Sequence, residues 1–105
     1  MSAEFILTFQ DDTWYEKNRN ELKKKMTDMA SFARLNGDDY EFIGSEAGGD
    51  LEYDARLFLE ETSIFIEIST HPPSIEKDLS SLFQWIGNQT EIYIRDEDGE
   101  DSGWI

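Results

Sequence analysis

The stretch Tyr53-Asp54-Ala55-Arg56-Leu57-Phe58-Leu59-Glu60-Glu61-Thr62-Ser63-Ile64-Phe65-Ile66-Glu67-Ile68-Ser69 decides the fold. Ala55, Leu57 and Leu59 alternate with Arg56, Phe58 and Glu60, and Ile64, Ile66 and Ile68 alternate with Phe65, Glu67 and Ser69. A period of two is the signature of strands with one buried face. The stretch therefore reads as two strands, Tyr53 to Glu60 and Ser63 to Ser69, joined at Glu61-Thr62. With the turn centred there, Leu59 faces Ile64 and Leu57 faces Ile66 on the core side. Phe58 meets Phe65 and Arg56 meets Glu67 on the other, and such cross-strand pairs contribute about 0.2–1 kcal/mol each. Glu61-Thr62 lacks the Asn-Gly chemistry of a tight turn. A four-residue loop over Glu60 to Ser63 keeps the same register.

Working outward, Glu4 to Gln10 is a strand apolar on both faces, as expected of a central one. After Asp11-Asp12, Thr13 to Glu16 fits a capping box with Thr13 as N-cap. Tyr15, Leu22, Met26, Met29 and Ala33 recur at helical spacing, so the first helix is expected over 14–35, stopped by Asn36-Gly37. Its Lys23-Lys24-Lys25 run faces away from the stripe and reads as a solvated surface. Asp39 to Ile43 is a short strand, and Gly44 to Asp50 a glycine-bearing loop. His71-Pro72-Pro73-Ser74 opens a second helix with Ile75, Leu79, Leu82 and Ile86 on one stripe, flanked by Phe83 and Trp85 and closed by Gly87. Thr90 to Arg95 is another strand, with Tyr93 opposite Ile92 and Ile94. Asp96-Glu97-Asp98-Gly99-Glu100-Asp101 is an acidic turn, and Ser102 to Ile105 a short end that is open to pairing back.

The order is β-α-β-β-β-α-β, with room for one further short strand. Two singly striped helices bury both stripes most simply against one sheet. The expected fold is an α+β two-layer sandwich of split-βαβ kind, with an antiparallel or mixed sheet of about five strands and both helices on one face. The other face is then left partly open, with Phe58, Phe65 and Tyr93 beside Arg56 and Glu67. Aromatic clusters rimmed by charge mark interaction surfaces. The competing arrangements have the last segment or a second copy covering them, or the helices packing on this face instead.

The 105 residues make one domain, 1–105. Seven Phe, four Tyr and three Trp argue against disorder despite a net charge of −15. Without cysteine there is no disulfide framework, thiolate site or cysteine nucleophile. The apolar runs are far shorter than the ~20 residues of a membrane span, and Met1-Ser2-Ala3-Glu4 lacks the basic start of a secretory signal. A cytoplasmic protein is the expectation.

Acidic and basic residues balance over 1–34, so the whole excess of negative charge lies in 35–105, where only Arg56, Lys77 and Arg95 are basic. Such a chain repels nucleic acid and anionic lipid and attracts cations or a basic protein. Solubility alone is the plainer explanation of the same charge. Catalytic equipment is not evident. Adjacent carboxylates follow from crowding, and His71 reads as a junction residue. No serine sits in a nucleophile elbow, and Gly48-Gly49 does not lead a strand into a helix as a phosphate loop would. Tested as a calcium loop with Gly99 at position six, the acidic turn puts Ile94 at position one and Ile105 at twelve, so both anchoring ligands are missing. No enzyme activity, cofactor or metal site is expected.

The run Leu82-Phe83-Gln84-Trp85-Ile86-Gly87, followed by Glu91-Ile92-Tyr93-Ile94-Arg95-Asp96-Glu97-Asp98-Gly99, resembles the helix, strand and acidic turn of some bacterial immunity proteins. These are the antidotes of contact-dependent growth inhibition and related polymorphic-toxin systems. The resemblance covers about a quarter of the chain and carries over no contact residue. It implies a cytoplasmic partner of one cognate toxin domain, frequently a nuclease, an RNase foremost. An acidic partner would plug or cap such a basic cleft. The expected partner is thus a basic toxin domain bound as a heterodimer, with no direct contact to nucleic acid or membrane. The candidate contact residues are Asp38, Asp39, Phe58, Phe65, Glu67, Asp96, Glu97, Asp98, Glu100 and Asp101. The acids would steer and pair, the aromatics would anchor, and reversing Asp96 and Asp98 to Lys would slow association. The alternatives are an acidic nucleic-acid mimic acting on a DNA-binding protein, or a subunit of an ordinary complex.

Overall fold

The computed structural model describes residues 3–45, 53–70 and 72–104. Among these residues the elements in chain order are β1 (Ala3–Phe9), α1 (Asp12–Lys17), α2 (Arg19–Thr27), β2 (Phe32–Asn36), β3 (Asp39–Phe42), β4 (Ala55–Leu59), β5 (Ser63–Ile68), α3 (Pro73–Gly87) and β6 (Ile92–Asp96). His71, Gly48-Gly49 and Ile105, read above as a junction residue, a loop and the chain end, lie outside the described residues.

The described strands form one sheet of six, ordered β2-β3-β4-β5-β1-β6, with every neighbouring pair antiparallel. β5 and β6 both run antiparallel to β1 between them, so β5-α3-β6 is a βαβ unit split by the first strand. The β4–β5 register is the one expected: Leu59 opposite Ile64, Phe58 opposite Phe65, Leu57 opposite Ile66 and Arg56 opposite Glu67. Glu60 N–H bonds the Ser63 carbonyl at 2.9 Å, closing a two-residue turn without glycine.

Phe9, Leu7, Tyr40, Phe42, Leu57, Ile64, Ile66, Ile92 and Ile94 point to one side of the sheet. There they bury Tyr15, Leu22 and Met26 of α1 and α2, and Ile75, Leu79, Leu82, Phe83 and Ile86 of α3, in a single core. The helices thus share one face. Trp104 packs edge-on against Phe5 at 6.2 Å and Phe83 at 5.3 Å, on the helix side of the sheet. The last described residues therefore leave the opposite face uncovered.

The expected first helix over 14–35 requires three corrections. Its N-cap is Asp11, whose carboxylate accepts from Thr13 N–H at 3.0 Å; Thr13 lies inside the helix. It breaks at Asn18, whose side-chain amide bonds the Trp14 carbonyl at 2.8 Å and competes with the helical ladder. It ends at Thr27, and Phe32–Asn36 is an edge strand. Phe32 sits 5.8 Å from Phe42, ring to ring, so the aromatic packing is satisfied by pairing with β3. Asn36-Gly37 is then the start of a hairpin turn, with Gly37 at φ +66° and Asn36 opposite Asp39. Ala33, placed on the buried stripe above, is exposed. No helix among the described residues is long and apolar enough to cross a membrane.

Candidate partner-binding face

Alternation sends every second strand residue to the helix-free face, and the registers align those residues into rows. One row crosses all six strands: Asn36, Asp39, Phe58, Phe65, Ile6 and Arg95. Its span is roughly 24 Å at a strand spacing of about 4.8 Å. A second row runs Arg34, Glu41, Arg56, Glu67 and Glu4, and a third Ser63, Thr8 and Tyr93.

The middle of the first row is apolar. Phe58 and Phe65 lie 5.9 Å apart, ring to ring, and Ile6 beside them is 44% exposed. Tyr93, 38% exposed, extends the patch onto β6 with the Arg95 guanidinium 5.2 Å from its ring. Exposed side chains of this size, with the half-buried Phe58 and Phe65 beside them, gain from being covered.

The second row is a ladder of opposite charges. Arg34 Nε stands 2.6 Å from Glu41 Oε1. Arg56 donates from Nε to Glu67 Oε1 at 2.6 Å and from its terminal nitrogen to Asp39 Oδ2 at 3.2 Å. The Tyr53 hydroxyl donates to Glu67 at 2.9 Å, and the Arg56 guanidinium lies over the rings of Tyr53 (4.8 Å) and Phe58 (5.2 Å). The bond to Glu67 holds the Arg56 proton more tightly than usual. Burial pushes the Tyr53 phenol up, as does its bond to Glu67. Burial also lifts the Asp39 carboxyl above its ordinary range, helped by Glu41 and opposed by Arg56.

The acidic turn borders this face. Asp96 Oδ1 accepts from Asp98 N–H at 2.9 Å and Glu100 N–H at 3.0 Å, and Gly99 takes φ +80°. Asp96 N–H bonds the Glu100 carbonyl and Ser102 N–H the Ile94 carbonyl, so the end does pair back onto β6 through a bridge between Arg95 and Asp101. Glu97 accepts from the Glu4 N–H at 3.3 Å. Between turn and sheet lies a cavity of about 260 Å³ lined by Ile6, Thr8, Arg95, Asp96, Glu97 and Gly99.

The structure thus brings Asp39, Phe58, Phe65 and Glu67 into one patch and sets the acidic turn against its β6 edge. Asp38 stands apart, exposed in the β2–β3 turn at the far edge. Three of the acids make bonds within the chain. Asp39 and Glu67 are tied to Arg56, and Asp96 holds the turn together, because each lies where backbone or guanidinium donors converge on it. Glu97, Asp98, Glu100 and Asp101 remain exposed. Asp101 Oδ1 accepts from Gly103 N–H at 3.0 Å. Sequence reasoning missed Ile6, Tyr53, Glu41 and Arg34 as members of the face. Ile6 was legible as an apolar residue on the second face of a strand apolar on both, whereas Arg34 was hidden by the helical reading of its segment. Comparison with protein-family models, curated proteins and solved structures returns no match.

Proposed function

We propose that this chain is an immunity protein that binds and neutralises a cognate basic toxin domain, a nuclease and foremost an RNase, without chemistry of its own. The observation that carries the reading is the continuity of the helix-free face. An uncovered apolar strip of Phe58, Phe65, Ile6 and Tyr93 runs directly into a turn holding five carboxylates. Stable interfaces combine a desolvated aromatic centre with a charged rim that accelerates encounter. The strip supplies the centre. Glu97, Asp98, Glu100 and Asp101 supply a rim of the sign that a phosphate-binding cleft attracts. In the charge ladder beside the strip Arg34 and Arg56 are already engaged by Asp39, Glu41 and Glu67, so steering comes from the turn and anchoring from the strip.

The test is capture on the tagged protein from the native cell through a salt series, followed by expression of the captured polypeptide. A basic polypeptide bound at equal stoichiometry, toxic alone and harmless when co-expressed, supports the reading. Recovery of DNA-binding proteins displaced by DNA would replace it with nucleic-acid mimicry. A non-toxic constant companion would replace it with a subunit role.

A further inference from the structure

We propose that Asp39 and Glu41 hold one proton between them in the folded protein, which makes the charge ladder of the open face responsive to pH. The two residues stand two apart on β3, so their side chains leave the same face of the sheet. Both are almost fully buried, at 7% and 4% exposure. Every element around them contributes a charge. Arg34 on β2 stands 2.6 Å from Glu41, and Arg56 on β4 donates to Asp39 at 3.2 Å. Glu67 on β5 takes the other side of Arg56, with the Tyr53 hydroxyl, and Glu4 on β1 stands opposite Glu67. Asp38 lies in the turn just before β3.

Two guanidiniums therefore serve three carboxylates, Asp39, Glu41 and Glu67. The shortfall shows at Asp39 Oδ1, which is sealed from water and has no hydrogen-bond partner; Glu41 Oε1 is sealed likewise, with only the Arg34 ion pair beside it. A buried charged oxygen without a partner costs several times the net contribution of a hydrogen bond. No side chain of a docking protein can reach a sealed atom, but a proton can. Placed there, it converts two repelling carboxylates into one O–H···O hydrogen bond, the usual outcome when two carboxyl groups share a site. Burial and the neighbouring Glu41 displace the Asp39 titration in the direction this requires. When the proton leaves, one negative charge appears beside Phe58, the cross-strand neighbour of Asp39. Proton sharing is a property of the free protein, whereas its effect on docking rests on the partner reading above.

The experiment is a carbon-13 NMR titration of the Asp39 and Glu41 side-chain carboxyls in the full chain, repeated in Asp39→Asn and Glu41→Gln. One carboxyl of the wild-type pair should titrate clearly above the ordinary carboxylate range of ~3.9–4.3. In Asp39→Asn and in Glu41→Gln that raised step should disappear. Two ordinary, independent titrations in the wild type would overturn the proposal, and the wild-type curve decides even if a variant fails to fold. A failure to find a toxin leaves this result untouched.

Discussion

The hydroxyl of Tyr15, on α1, donates to the Glu60 carbonyl at 2.5 Å and lies 3.1 Å from the Ser63 carbonyl, both in the β4–β5 turn. Arg19 donates to the same Glu60 carbonyl. A turn with neither glycine nor asparagine is thus held from beneath by a helix, and the Tyr15 ring stacks 4.6 Å from Phe9 while doing so. Tyr15→Phe keeps the stack and removes the donor. It should cost about 1–2 kcal/mol, seen in urea unfolding as a lower midpoint with an unchanged slope.

Arg56 has two carboxylate partners, Asp39 and Glu67. Arg56→Ala leaves Asp39 and Glu67 mostly buried without their cation and should destabilise by about 3 kcal/mol, the low end for a broken buried pair because the guanidinium is partly exposed. Arg56→Lys should recover only part of this, since an ammonium cannot span both partners in one plane. Equal stability of the Lys variant and the wild type would show that the fork geometry is irrelevant.

The raised Asp39 carboxyl sets the sign of a pH effect. A group that binds its proton more tightly when folded contributes stability in full below its unfolded value of about 3.9 and loses it as pH rises through the folded value. Relative to Asp39→Asn, which cannot titrate, the wild type should therefore lose stability from about pH 4 towards neutrality. Unfolding free energies of both proteins across that interval give the difference directly, and an unchanged or widening wild-type advantage would contradict the assignment.

Binding should separate into anchor and rim. Phe65→Ala and Ile6→Ala should each weaken capture of the proposed partner by at least about 2 kcal/mol, mainly through faster dissociation. Asp98→Lys with Glu100→Lys should slow association and flatten its salt dependence while leaving dissociation nearly unchanged. Asp96 is excluded from that charge reversal, because its carboxylate holds two backbone N–H groups of the turn. Stopped-flow association at low and high salt distinguishes the two classes.

Gly37 takes φ +66° in the β2–β3 turn with no atom within 4 Å of where a Cβ would stand. Gly37→Ala should thus cost about 1 kcal/mol from backbone strain alone. Protection of the β2 amides from hydrogen exchange should fall before that of β5.

The segment Asn36-Gly37 shows where sequence reading stopped. It is equally a helix stop and a hairpin turn, and local pattern favoured the first because Met26, Met29 and Ala33 continue the helical spacing of Leu22. What overrides it is the contact of Phe32 with Phe42, ten residues away in the chain and invisible to periodicity. The same limit applies to the face. Phe58, Phe65 and Glu67 were legible because a strict period of two and a short turn leave one register that keeps the isoleucines inside. The addition of Ile6 and Arg95 to their row needed the position of β1 between β5 and β6, which follows from how α3 crosses the sheet. The ion pairs of Asp39 and Glu41 needed β2 to exist at all.

By itself, then, the sequence determined the alternating hairpin and its register, the α3 stripe, and the concentration of acidic charge in 35–105, because these depend on composition and on neighbours within a few residues. The tertiary structure decided that 32–36 is a strand, that six strands align an apolar row with the acidic turn, and that three carboxylates compete for two guanidiniums. Each of these depends on side chains brought together by long-range pairing, whose closure entropy and packing no local window contains.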